Sequence, residues 1–186
     1  MNVSRDIFLI LLLAISRCIK VVMNDKELLS TIPALEPALA LVWSAIVEVG
    51  ATLDLGETAL GHRFMVPITG GRFYEGPAGP GLNGNVIPGG ADRQLLRSDG
   101  VKELDALYEM VCESGQTLTI RNRVLVDPSQ RPERYAMSSI SAKVEDGPMG
   151  WLNRRLLVGS LHSLRPTKPL VVVRAWLLTN ETQYPN

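Results

Sequence analysis

The sequence predicts an all-β domain, and three features carry that expectation. The first is a centre rich in Gly and Pro, from Val66 to Gly100, where short apolar runs alternate with Gly70-Gly71 and Gly89-Gly90. No helix tolerates that density, because Gly loses the most backbone entropy on ordering and Pro removes an amide donor. Strands with sharp corners do tolerate it, and each Gly pair marks a bulge, a bend or a close backbone approach. The second feature is period-two alternation, clearest over Val101–Cys112 and Thr117–Val124. The third is the absence of strand–helix alternation: hairpin signals separate many short strands, which argues for an antiparallel barrel or sandwich. A closed barrel also removes the exposed edges that so many strands would leave.

The elements follow in order. Ala38–Val49 has alanines that suit a helix, but its β-branched residues and its position between Pro37 and Gly50 predict a first strand. Leu53-Asp-Leu-Gly-Glu-Thr58 reads as a turn leading into a strand at His62–Ile68. Arg72–Tyr74 begins the next strand, and Gly76–Gly81 is a loop. Leu82–Ile87 and Ala91–Arg97 are further short strands, and Ser98-Asp-Gly100 is a hairpin turn, where Gly supplies a positive φ. In Val101–Cys112, Leu104, Ala106, Tyr108, Met110 and Cys112 share one face, while Glu103, Asp105 and Glu109 lie on the other. This is the pattern of a half-buried strand. In the next strand Leu118, Ile120 and Asn122 face one way, and Thr117, Thr119, Arg121 and Arg123 the other. Asp127–Glu133 is a loop, Tyr135–Val144 a strand, and Trp151–Gly159 a turn that becomes a strand. Lys168–Leu178 is the last strand, rich in β-branched residues.

The N-terminus stands apart. One positive charge, Arg5, precedes the apolar run Ile7–Ile15, which is too short to span a bilayer and is interrupted by Arg17 and Lys20. It matches the apolar core of a signal peptide, or a marginal anchor, with Ala14 and Ser16 as small residues before a cleavage point. Alternatively, translation begins at Met23. Residues 1–30 are therefore set outside the fold, which is expected over 33–180. Their fate decides between a cytoplasmic chain and a secreted or anchored one with weak membrane association.

The chain has 186 residues, the size of one domain, with 19 basic and 19 acidic side chains. That balance, without a basic stripe, argues against a nucleic-acid partner. Cys18 and Cys112 are the two cysteines and His62 and His162 the two histidines, with no Cys-x-x-Cys, so neither a disulfide framework nor a zinc site is expected. The nucleophile elbow, the phosphate loop and the dinucleotide fingerprint are all missing.

Six motifs come in a particular order: Leu53-Asp-Leu-Gly-Glu-Thr, Val66-Pro-Ile-Thr-Gly-Gly, Ile87-Pro-Gly-Gly-Ala-Asp, Ser98-Asp-Gly-Val, Arg121-Asn-Arg and Trp151-Leu-Asn-Arg. Together they resemble the domain of unknown function 3237 family, also called uncharacterised protein family 0311. The resemblance runs from about Pro33 to about Leu178 and carries more weight for fold than for function. The expectation is a single antiparallel β-barrel of the calycin or lipocalin-like kind. The chain is also similar to fungal members that accompany natural-product pathways and look like cofactor-free cyclases. Those members add a phenol hydroxyl across a prenyl alkene to give a dihydrobenzofuran, so the resemblance implies a small aromatic or prenylated substrate and no cofactor. Five positions depart from the family pattern: Arg93 stands where Trp is usual, Met137 where Arg is usual and Ala142-Lys143 where Phe-Glu is usual, and Val124 replaces a Gly. These departures are expected to remodel a pocket.

The candidate chemistry rests on carboxylates. Asp92 closely follows Gly89-Gly90, where a ligand could come near, and Arg121 projects from a strand whose other face is apolar. Asp92 as proton donor and Arg121 as the cation steadying the oxygen nucleophile are expected to line one cavity. Glu57, Asp105, Asn122 and Lys143 are expected as neighbours that hold the substrate. His62 and His162 are read as exposed. A ligand carrier with the same pocket but no chemistry is the competing reading. A homodimer or larger assembly is also expected, since outward residues such as Leu107 are apolar.

Overall fold

The computed structural model describes residues 24–129, 132 and 134–180, so the apolar run at 7–15 lies outside the described residues. The chain divides into a unit ending at Glu36 and a second beginning at Pro37. In the first unit, helix α1 (Asp25–Thr31) is started by a capping box. The Asn24 side chain accepts from the Glu27 amide at 3.0 Å and the Glu27 carboxylate accepts from the Asn24 amide at 3.2 Å. No helix among the described residues is long and apolar enough to cross a membrane.

The second unit is a closed antiparallel barrel of eight staves. Its strands are β1 (Pro37–Val49), β2 (Leu53–Thr58), β3 (Gly61–Glu75), β4 (Gly84–Val86), β5 (Ala91–Leu96), β6 (Lys102–Cys112), β7 (Thr117–Asp127), β8 (Tyr135–Val144), β9 (Leu157–Ser163) and β10 (Leu170–Asn180). Going round, β1 pairs β10, then β9, β8, β7 and β6 follow. β5 and β4 share the next stave, and β3 closes the ring against β1. β2 continues past β1 along the same side of β3 and pairs with nothing else, so the wall is split at that end.

Two boundaries differ from the sequence expectation. Leu53–Thr58 is a strand, because the Asp54-x-Gly56 signal is spent on a bulge within it. Gly56 has φ 80°, its amide bonds the Asp54 carboxylate at 2.8 Å, and the β2–β3 register shifts there. The strand expected to begin at Arg72 is instead continuous with His62–Ile68. Gly70-Gly71 bends it without ending it, and Gly71 is pressed against Ile46 of β1.

Alternation sorts the barrel into inside and outside. At one end the lumen is solid: Trp43, Phe73, Leu82, Met110, Leu118 and Leu152 are almost fully buried, and the 3-10 turn Gly150–Arg154 contributes the last of these. Burial of such side chains contributes roughly 1.5–3 kcal/mol each. The other end is not filled, and a cavity remains there.

Candidate active site

The cavity has a volume of about 180 Å³. Its position follows from strand register. Asp92 of β5 pairs with Ala106 of β6, which pairs with Asn122 of β7. The three form one row across the inner wall. The small Ala106 leaves open the space between the carboxyl and the amide. One row deeper is Tyr108, which forms the floor. Toward the open end come Leu104 with Gln94 and Val124, and then Lys102 with Val126. Lys102 to Tyr108 is thus about 20 Å of strand. Val66 of β3, the partner of Asp92, continues the row, and Val47, Ile68, Val171 and Val173 are among the apolar residues lining the rest of the cavity.

Asp92 supplies the carboxyl group in the cavity lining. Gln94 Nε2 donates to its Oδ2 at 2.5 Å, while Oδ1 is buried without a protein partner. Burial pushes its pKa from 3.8 up to about 6, against the lowering effects of the Gln94 hydrogen bond and the Lys102 charge. The Asn122 Oδ1 and the Tyr108 hydroxyl are likewise buried without protein partners, and burial drives the Tyr108 phenol upward, so it stays neutral. Buried polar atoms usually find partners, so unpaired atoms on residues of a single cavity mark a place where something polar binds. Among the described residues no group of three or more His, Cys, Asp or Glu side chains is placed to hold a metal ion.

Of the six residues expected at the site, Asp92 and Asn122 line the cavity and four do not. Arg121 and Asp105 face outward and form a two-pronged ion pair with each other, at 2.8 Å and 2.6 Å. The Arg121 guanidinium holds the Asp105 carboxyl below the usual range. Lys143, opposite Thr119 on the adjacent strand, is exposed. Glu57 is in the β2–β3 hairpin, 2.9 Å from His62 Nδ1. His62, also 2.6 Å from Asp54, is raised above its usual pKa chiefly by that hydrogen bond. The error over Arg121 concerned which face is the lumen: Leu118 and Ile120 do not back the wall but point into the barrel, and they take Asn122 with them. Of Gly89-Gly90, it is Gly90 that the fold requires to be small. A Cβ on Gly90 would come within 2.5 Å of Tyr108 Cβ and 2.7 Å of the Leu107 carbonyl. Of the departures from the family pattern, Val124 lines the cavity, Ala142 is buried in the core, and Arg93, Met137 and Lys143 point away from the lumen.

The residues missed are Tyr108, Gln94, Lys102, Arg134 and Arg165. The first three share the inward parity of Asp92 or of Leu104 and Ala106, a signal present in the alternation. Arg134 and Arg165 come from loops, where no periodicity announces them.

Comparison with known proteins agrees with this architecture. A β-barrel like protein from Acinetobacter baumannii superposes with a TM-score of 0.70 at 24% identity, over 79% of this chain and 99% of its own. A conserved protein of unknown function from Rhodopseudomonas palustris gives 0.69 at 25% identity, over 80% and 100%. A structure from Penicillium herquei, described as an enzyme, gives 0.61 at 20% identity, over 80% and 98%. In sequence, a UPF0311 protein of Clostridium acetobutylicum is 34% identical over 82 residues, which is 44% of this chain and 49% of that one. A UPF0311 protein of R. palustris is 32% identical over 81 residues, 44% and 50%. The chain thus spans about half the length of the curated relatives it matches. The family model described as "Protein of unknown function (DUF3237)" matches residues 37–178, all ten strands of the barrel within two residues of its end, and the chain belongs to that family.

Proposed function

We propose that this barrel is a cofactor-independent acid–base enzyme that closes an oxygen heterocycle by adding a phenol hydroxyl across a prenyl alkene. The observation that carries the reading is Asp92, a carboxyl kept neutral up to about pH 6 in an apolar cavity, with one oxygen free of protein partners. A group with a pKa near the working pH gives and takes protons efficiently. An apolar substrate closing over it would displace more water and favour the neutral form further.

In this reaction Asp92 gives its proton to the terminal carbon of the alkene, and the π pair forms the new C–H bond. The phenol oxygen attacks the internal carbon, where positive charge develops, and forms the C–O bond. The phenol proton returns to the Asp92 carboxylate. Nothing is oxidised or reduced, and the product is an isomer of the substrate, a dihydrobenzofuran. The Asn122 Oδ1 accepts from the phenol hydroxyl and fixes which face is attacked, the role expected of Arg121 from the sequence. Val47, Val66 and Ile68 keep water from the developing cation. A cavity of about 150 Å³ takes a benzene ring, so this one suits a single substituted ring. The catalytic description of the Penicillium structure supports the reading that a barrel of this kind does chemistry.

A phenol with a reverse-prenyl group ortho to its hydroxyl is the test substrate. The intact chain is expected to give one enantiomer of the dihydrobenzofuran, read by chiral chromatography. Racemic product at the buffer rate would contradict the proposal. The second reading is a carrier for a small hydrophobic ligand. It draws on the same cavity and predicts binding of this phenol without turnover.

A further inference from the structure

The open end of the cavity is cationic. Lys102, Arg134 and Arg165 line it, and among the described residues the one other charged side chain in its lining is Asp92. None of the three cations forms an ion pair among the described residues. The contacts of Lys102 and Arg165 are with neutral groups. Lys102 Nζ lies 5.0 Å from the centre of the Phe64 ring. Arg165 donates to Thr52 Oγ1 at 2.8 Å and to the Gly50 carbonyl, across the split beside β2.

Some cations of the outer wall do have carboxylate partners. There Arg97 is paired with Asp99 and Glu103, and Arg121 and Arg123 with Asp105. The three charges also act on one another: burial lowers the Lys102 pKa first, Asp92 opposes that, and the charges of Arg134 and Arg165 lower it again. Like charges gathered round a low-dielectric cleft raise a field of one sign, which an incoming anion relieves. Deeper in, the unpartnered atoms of Asn122 and Tyr108 await the polar substituents of a ring.

We propose that the cavity binds a small aromatic carboxylate, its ring within the apolar barrel and its carboxylate at the rim against Lys102, Arg134 and Arg165. This deepens the proposed function and rests on it for the choice of cavity: the cyclised phenol would carry a carboxylate. Guanidinium groups suit the planar, two-oxygen geometry of that anion.

The test is isothermal titration calorimetry of the full chain at low salt with benzoate, benzamide and inorganic phosphate. Benzoate is expected to bind at least about tenfold more tightly than its neutral isostere, as charge-assisted hydrogen bonds allow. Phosphate, which has no apolar body, is expected to bind more weakly than benzoate. In a K102Q/R134Q double variant the benzoate preference should fall to about one, and rising salt should shrink it in the parent. Equal affinity for benzoate and benzamide, no binding of benzoate, phosphate binding as tightly, or a double variant that keeps the preference would each overturn the inference. Asp92→Asn separates it from the catalytic reading, since removing a nearby negative charge should tighten benzoate binding while turnover is lost. Selectivity without an effect of Asp92→Asn on turnover sinks the catalytic reading alone. Loss of turnover without selectivity sinks the carboxylate site alone.

Discussion

Asp92→Asn is expected to lower turnover of a prenylated phenol by about 10²–10⁴-fold while making the barrel more stable at neutral pH. The substitution keeps the shape, and its amide oxygen can still accept the Gln94 hydrogen bond now made at 2.5 Å. What it removes is the transferable proton and, above pH 6, a buried charge. The sign of the stability effect follows from linkage. The folded chain holds the Asp92 proton to about pH 6, against an ordinary value of 3.8, so between those values the native state binds more protons than the unfolded one. Stability contributed by Asp92 is therefore full below about pH 4 and is lost as pH rises toward and through 6. The loss is on the order of 3 kcal/mol at neutral pH. The parent and the Asn variant should accordingly melt together at pH 4 and diverge at pH 7, with the variant higher. A variant that loses activity because it unfolds would show the reverse.

The largest structural effect is expected at Gly71. It pairs with Val47 where β3 closes the ring against β1, with φ 139°. A Cβ there would lie 2.2 Å from the Ile46 carbonyl oxygen and 3.0 Å from Val47 Cα. Both are backbone atoms of a paired strand and cannot swing aside. Overpacking costs about 1–3 kcal/mol and the unfavourable φ about 1–2 more, so Gly71→Ala should cost about 3 kcal/mol or more. For a chain of this size that lowers the melting temperature by roughly 6–12 °C. Gly89 is the control: its φ is 115° but nothing lies within 4 Å of the added Cβ, so Gly89→Ala carries the conformational strain alone. Thermal melting followed by circular dichroism distinguishes the two, and equal losses would show that ring closure at β1–β3 is not what Gly71 permits.

The alternation in β6 and β7 made the wall legible from sequence: Leu104, Ala106, Tyr108 and Met110 share a face in the chain and in the barrel. What alternation does not state is which side of a closed wall is the inside. In a sandwich or a filled barrel a row such as Leu118–Ile120–Asn122 is simply core, and its polar partner face looks like the place for chemistry. In a barrel with an unfilled end, the lone polar residue on the apolar face is the one that faces the cavity. Asn122 satisfies that description, and Arg121 does not. Lys102 carried the same parity signal, being two residues before Leu104. Arg134 and Arg165 carried none, since only the closing of the ring brings the segment before β8 and the β9–β10 turn to one rim. Gly89-Gly90 shows a different limit: a Gly pair announces a close approach without naming which Gly makes it or the partner, here Gly90 against the backbone and Tyr108 of β6.

On this reading Asp92 is a lumenal carboxyl that retains its proton at a pH well above that of an ordinary aspartate. Carbon NMR of the side-chain carboxyls, with Asp92→Asn used to identify the Asp92 signal, measures this in the intact chain. A midpoint near pH 6 is predicted. It should rise further in Lys102→Gln, because the Lys102 charge acts to lower it. A midpoint at the ordinary aspartate value of about 3.9 would contradict the account, since the carboxyl would then be solvated and neither buried nor poised to transfer a proton.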